Sequence, residues 1–153
     1  MYIQKEKICT LYASDEHFVT ILIPYIYQII NEEKEIITIF ERDLSNEAEK
    51  VLKCIKEKNK KIINIDWNKV NINNLNSKLN KELENKILIV LGENKFIEKV
   101  NFLLDKFEEN FLILNCYNIF KNEKKIRNII EEYEKILTTQ GIEKIKNTIP
   151  CNS

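Results

Sequence analysis

Short runs of apolar residues recur along the chain, separated by segments that are mainly polar. Five of these runs are rich in Ile, Val, Leu, Phe or Tyr, and most are apolar at nearly every position. Such continuous runs are typical of strands that are covered on both faces of a sheet. The five predicted strands are Ile8–Ala13, Ile36–Phe40, Ile62–Asp66, Ile87–Leu91 and Phe111–Tyr117.

The segments between these runs carry apolar residues at helical spacing. The five predicted helical stripes are Phe18–Ile29, Ala48–Ile55, Ile72–Leu83, Phe96–Phe107 and Ile126–Leu137. Pro24 falls inside the first stripe and predicts a kink there. Because strands and helices alternate, we expect an α/β fold of three layers, Rossmann-like in plan, with a mainly parallel five-stranded sheet and helices on both faces.

The chain of 153 residues is long enough to bury one ordinary core, and no change in composition divides it. We therefore predict a single domain over residues 1–139, followed by a loosely ordered tail over residues 140–153.

Composition limits the functions that the chain can have. Lys plus Arg and Asp plus Glu are equal at 24 each, so we expect no direct binding to nucleic acid. No signal peptide and no apolar span of about 20 residues is recognisable, which predicts a cytoplasmic protein without membrane contact. The four cysteines form no CxxC pair and only one histidine is present, so neither a metal site nor a cofactor is predicted.

Candidate binding residues follow from the expected sheet, because ligands bind beyond the carboxyl ends of parallel strands. Polar and aromatic residues at or near these ends include Arg42, Glu93, Asn94 and Asn118. The residues that we select as the predicted ligand site are Tyr12, His17, Glu41, Trp67, Asn115 and Tyr117.

Phosphate binding at the first helix is not expected. The chain has neither GxxxxGK nor GxGxxG, the glycine-rich patterns that close backbone amides around a phosphate. Asp15 and Glu16 would also occupy the positive end of the first helix and repel an anion. The segment Ser14–Glu16 is therefore interpreted as a helix cap, while His17 keeps two interpretations, as a capping residue or as a ligand-binding group.

No catalytic residues are predicted. Cys9 and Cys116 lie within strands, and His17 is the only imidazole that could activate either thiol. A small hydrolase or transferase is a third alternative, and it is disfavoured because no nucleophile, base and orienting group can be assembled from the sequence.

Three segments together resemble one family. KICTLYASDEHFVTILIPYIYQII is similar to the opening of the MEDS domain (methanogen/methylotroph, DcmR-type sensory domain), where a strand of HxCxxY type precedes an acidic turn and a helix with a proline and an aromatic residue. NEEKEIITIFERD resembles its second strand and FLILNCYNIF its late strand. Lys7 stands where members often carry His.

The resemblance implies a RecA/KaiC-like fold that lacks the phosphate loop and senses a small organic ligand. It also implies a signalling partner such as a histidine kinase or a transcription regulator, which this chain would need because no output module is attached. We therefore expect a non-catalytic sensory domain that binds its ligand at the carboxyl edge of the sheet. The alternative is a ligand-free interaction module or adaptor in a bacterial signalling pathway, and a homodimer is compatible with either.

Overall fold

Apolar runs of the sequence form the strands of one mixed sheet. A computed structural model describes residues 5–55, 65–79 and 82–145. The strands within these residues are β1 (Lys5–Tyr12), β2 (Ile36–Phe40), β3 (Ile87–Leu91), β4 (Phe111–Asn118), β5 (Lys135–Thr138) and β6 (Gly141–Lys144). Their order in the sheet is β2-β3-β4-β1-β5-β6. Neighbouring strands are parallel except β5 and β6, which are antiparallel.

Helices connect most of these strands. In the described residues they are α1 (Asp15–Asn31), α2 (Ser45–Lys53), α3 (Leu75–Lys78), α4 (Asn94–Leu104) and α5 (Ile126–Glu131), and a 3₁₀ turn at Ile72–Asn74 precedes α3. The α/β class and the mainly parallel sheet are thus confirmed, with six described strands in place of the predicted five.

Side chains alternate between two apolar cores on opposite faces of the sheet, as the pleat of a strand requires. The first core packs α1 and α2 against residues such as Phe40, Ile89 and Leu114. The second core packs α3, α4 and α5 against residues such as Ile39, Val90 and Ile113. Since both faces are covered, β3 is buried at all five positions, which explains its uninterrupted apolar run.

Helix α1 shows why its sequence folds as predicted. The Ser14 hydroxyl accepts a hydrogen bond from the backbone N–H of His17 at 3.1 Å and caps the helix. Nine of its residues are buried, and Phe18, Val19, Leu22 and Ile26 are buried completely. The helix continues without a break through Pro24, whose side chain is exposed.

Two predictions near the C-terminal end need correction. The stripe Ile126–Leu137 is helical only as far as Glu131, because Lys135–Thr138 form β5 beside β1. In β5, Ile136 packs into the second core and Leu137 into the first, an alternation that only a strand allows. Residues Gly141–Lys144, assigned above to the C-terminal tail, form β6, and residues 146–153 lie outside the described residues.

Two predictions in the middle of the chain also change. Most of the predicted strand Ile62–Asp66 lies outside the described residues, and its described residues, Ile65 and Asp66, are not in a strand. The stripe from Ile72 is helical only as far as Lys78. Leu83 lies beyond that helix yet is fully buried in the second core.

The first core predicts a large difference between two Phe→Ala substitutions. Phe18 is fully buried, whereas Phe102 on α4 is 64% exposed. We expect Phe18→Ala to lower the free energy of unfolding by about 3–5 kcal/mol through lost burial and a cavity. Phe102→Ala should lower it by less than about 1 kcal/mol. Urea denaturation followed by circular dichroism measures both, and equal losses would contradict the assignment of the core.

Candidate functional site

A cavity of about 470 Å³ lies over the carboxyl ends of the central strands. It sits where β1 and β4 are neighbours while the helices that follow them pack on opposite faces, α1 in the first core and α5 in the second. Such a switch point is where open α/β sheets bind ligands, and the volume is that of a small-molecule site. The residues that line it are Tyr12, Arg42, Gly92, Glu93, Asn94, Lys95, Asn118, Lys121, Asn122 and Lys125.

Arg42 joins three elements at one side of this cavity. Its Nη2 donates to the Tyr12 hydroxyl at 3.0 Å, at the end of β1, and to Asp15 Oδ1 at 2.6 Å, in the first turn of α1. Arg42 itself follows β2. The guanidinium therefore ties the ends of β1 and β2 to the start of α1 through charge-assisted hydrogen bonds.

Burial and this contact together shift the pKa values of Arg42 and Tyr12. Burial opposes the charged form of Arg42, but the hydrogen bonds to Asp15 and Tyr12 outweigh it and raise the Arg42 pKa. Burial raises the pKa of Tyr12 more than Arg42 lowers it, so the phenol is neutral at physiological pH. The charge of Asp15 is matched by Arg42.

The start of α4 forms another wall. Glu41 Oε1 accepts the backbone N–H of Glu93 at 2.8 Å, while in the part of the chain that the structure describes no side chain caps the first turn of α4. Gly92 is required here, because a Cβ at this position would lie 2.6 Å from Phe96 Cδ1 and 2.9 Å from Glu41 Cβ. The close packing brings the backbone of Gly92 and the helix start to the cavity.

The turn after β4 forms the wall opposite. Asn118 Oδ1 accepts the backbone N–H groups of Phe120 and Lys121 at 2.9 and 3.0 Å. Asn122 Nδ2 donates to the Asn118 carbonyl at 2.7 Å, and Lys125 N–H donates to the Asn122 carbonyl at 2.8 Å. These local hydrogen bonds, which asparagine favours in turns, place Lys121, Asn122 and Lys125 at the cavity.

The lining is more basic than the chain as a whole. It contains Arg42 and three lysines but a single acid, Glu93, although the full sequence has equal numbers of basic and acidic residues. The cavity therefore has a positive local field that the net charge of zero does not indicate.

Of the six predicted site residues, Tyr12 lines the cavity and Glu41 contacts its wall at the start of α4. His17 lies in the first turn of α1, where its Nδ1 accepts the backbone N–H of Ala13 at 2.8 Å. Together with the Ser14 cap, this bond makes His17 part of the start of α1.

Asn115 and Tyr117 lie on the opposite side of the strand end, inside the second core. Asn115 Nδ2 donates to Tyr133 Oη at 2.9 Å and its Oδ1 accepts from Asn101 Nδ2 at 2.8 Å, while the hydroxyls of Tyr117 and Tyr133 lie 2.6 Å apart. Burial raises the pKa of both tyrosines. The four side chains form a neutral polar network that is not part of the cavity.

Trp67 belongs to the first core. Its ring stacks on Phe40 with centroids 6.0 Å apart, and the residue is 7% exposed. Its indole N–H is buried without a hydrogen-bond partner among the described residues. Trp67 is not among the residues that line the cavity.

The selection above missed most of the cavity lining. Arg42, Glu93, Asn94 and Asn118 were recognisable as strand-end residues, which was the available signal. The sequence gives no signal for Lys95, Lys121 and Lys125. In a chain rich in Lys, these residues cannot be distinguished from other lysines on solvated turns and helices.

The described cysteines are free, and two of them are poorly suited to nucleophilic chemistry. Burial raises the pKa of the Cys9 thiol to about 12 and that of Cys116 well above its usual value. A thiol nucleophile needs the opposite shift. Within residues 5–55, 65–79 and 82–145, no group of three or more His, Cys, Asp or Glu side chains could hold a metal ion. No helix in the same ranges is long and apolar enough to cross a membrane.

Comparisons with family models, with curated proteins and with solved structures gave no significant match. The resemblance to the MEDS domain therefore stays a prediction.

The Arg42–Asp15 pair should be coupled energetically. Both side chains are only about a third exposed, so we expect a coupling of about 1 kcal/mol in a double-mutant cycle with Arg42→Gln and Asp15→Asn. The matched control is Lys53–Glu49 on α2, whose side chains are 70% and 66% exposed and which should couple more weakly. Urea unfolding of the variants measures both, and equal couplings would contradict the role given to Arg42.

Thiol labelling should separate the cysteines by burial. Burial raises the pKa of the Cys9 thiol to about 12, so the reactive thiolate is scarce at pH 8. We expect iodoacetamide to label the exposed Cys54 within minutes and to leave Cys9 and Cys116 unmodified until the protein is denatured. Peptide mass spectrometry identifies the sites, and rapid labelling of Cys9 in the native protein would contradict its burial.

Proposed function

We propose that this protein is a non-catalytic regulatory domain that binds a small ligand in the cavity over the switch point. One observation carries the proposal: a cavity of about 470 Å³ receives polar or charged side chains from the ends of β1, β2, β3 and β4. Several strand ends that converge on one concave space are the usual basis of ligand recognition in α/β folds.

The contacts at the cavity also suggest how occupancy is transmitted. Arg42 bonds both to Tyr12, which lines the cavity, and to Asp15, in the first turn of α1. A ligand that binds better to one arrangement of Arg42 would shift the population of α1 positions, and only this difference in affinity can change the output. The output is read by a partner protein such as a histidine kinase or a transcription regulator.

A non-catalytic role is supported by the side chains available. The imidazole Nδ1 of His17 is engaged by Ala13 at 2.8 Å, and burial raises the pKa of Cys9 and Cys116. These residues were the candidates for a nucleophile and its base. Neither thiol lines the cavity.

An interaction module without a ligand is the second candidate. Phe120 lies in the turn after β4 and is 65% exposed. A large exposed aromatic side chain is a frequent anchor of protein interfaces. Because Phe120 neighbours Lys121 of the cavity lining, the same residue also suits the partner contact that a sensory domain requires.

Two Tyr→Phe variants test the binding site. A metabolite library is screened by thermal shift, and hits are measured by isothermal titration calorimetry. Tyr12→Phe removes a hydroxyl at the cavity, whereas Tyr117→Phe removes one from the buried network in the second core. We expect Tyr12→Phe to weaken ligand binding about tenfold, which corresponds to the loss of one hydrogen bond between the Tyr12 hydroxyl and the ligand.

The control variant Tyr117→Phe should bind the ligand with unchanged affinity. It is expected to unfold at a lower temperature, because it loses a hydrogen bond of the buried network. A library without any hit would argue for the interaction module. Hits that depend on Tyr117 and not on Tyr12 would move the site to the second core.

A further inference from the structure

We propose that the ligand of this cavity is a small phosphate monoester, whose phosphate group is bound by Lys95, Lys121 and Lys125. The inference rests on the proposed function and adds the chemical class of the ligand. It derives from the charges of the lining, from the contacts that those charges already make and from the geometry of the walls.

The three lysines are available to a ligand. None of them forms an ion pair with any described residue, and each belongs to the cavity lining. Arg42 differs, because its guanidinium is committed to Asp15 and Tyr12. The unpaired positive charge of the cavity thus comes from lysine, against one exposed acid, Glu93.

The walls place these charges around one space. Lys95 lies in the first turn of α4, while Lys121 and Lys125 come from the turn after β4 and the start of α5. Glu41 accepts the N–H of Glu93 just before α4, but no side chain of the described residues caps the first turn itself. The backbone N–H groups of that turn and its positive dipole end therefore add to the lysines. Gly92 keeps the backbone close, since any Cβ would collide with Phe96.

Lysine points to phosphate in preference to carboxylate. A planar carboxylate is best bound by the two parallel donors of an arginine, but the arginine of this cavity is engaged by Asp15. Ammonium groups act as separate point charges with three donors each. Three of them from two walls suit the several oxygens and the double charge of a phosphate monoester.

The rest of the lining favours a hydroxylated organic part. Asn118 uses its Oδ1 in the turn and Asn122 uses its Nδ2, which leaves the other half of each amide without a partner among the described residues. The cavity is also far larger than a phosphate ion needs. Asp15 at the start of α1 does not oppose this site, because its charge is matched by Arg42.

Matched lysine variants provide the test. Lys121→Gln with Lys125→Gln removes two charges from the cavity, whereas Lys99→Gln with Lys124→Gln removes two exposed charges that do not line it. Inorganic phosphate and glucose 6-phosphate are titrated into the full chain by isothermal titration calorimetry, with glucose and citrate as the uncharged and carboxylate controls. All four exchanged side chains are exposed, so each variant should fold.

We expect both phosphate compounds to bind in the millimolar range or tighter, and glucose and citrate to bind more weakly. Lys121→Gln with Lys125→Gln should lower the affinity for phosphate compounds tenfold or more, and Lys99→Gln with Lys124→Gln less than twofold. Added KCl should weaken binding to the wild type. Absence of phosphate binding, or equal losses in the two variants, would overturn the proposal.

The two proposals fail in different ways. An uncharged library compound could bind less tightly to Tyr12→Phe and with unchanged affinity to the Lys121→Gln, Lys125→Gln variant. The phosphate inference would then be wrong, while the proposed ligand binding would still hold. If no compound of any charge binds, both proposals are wrong.

Discussion

The parallel pairing of β1 with β4 is the interaction on which the rest of the structure depends. It runs over eight residue pairs, from Lys5 with Phe111 to Tyr12 with Asn118. The pairing buries both faces of the sheet centre and sets its last pair at the cavity, because Tyr12 and Asn118 both line it. A shift of one residue would turn every side chain of β1 to the other face, so the two cores and the cavity require the same register.

The charges at the strand ends are divided between two tasks. Arg42, the one guanidinium in the lining, holds Tyr12 and Asp15 and is therefore part of the framework. The lysines of the opposite walls make no such contact with the described residues and give the cavity its positive field. The contacts that order the start of α1 and the unpaired positive charge of the cavity thus come from different cations.

The sequence predicted the elements whose burial is uniform and missed those whose pattern is ambiguous. Runs such as Ile36–Phe40 and Ile87–Leu91 were located correctly because both faces of these strands are covered. Tyr133 and Leu137 have the helical spacing of the residues that begin at Ile126, so their pattern predicts a helix. Only the pairing with β1 shows that Lys135–Thr138 form β5. The predicted strand ends at Tyr117, but β4 continues to Asn118, and the side chains of Asn115 and Tyr117 lie in the second core. The lysines of the cavity could not be selected, because only the topology brings their turns together.

The central position of β1 also constrains how the protein folds. Its neighbours are β4 and β5, which are made roughly a hundred residues later, so its pairing is among the most non-local contacts of the fold. During synthesis, β1 has to wait without a strand partner while α1, β2 and β3 are produced. An N-terminal fragment that stops before β4 would lack both neighbours of β1 in the sheet. Such a fragment is expected to aggregate, because its strands would be left with unpaired edges.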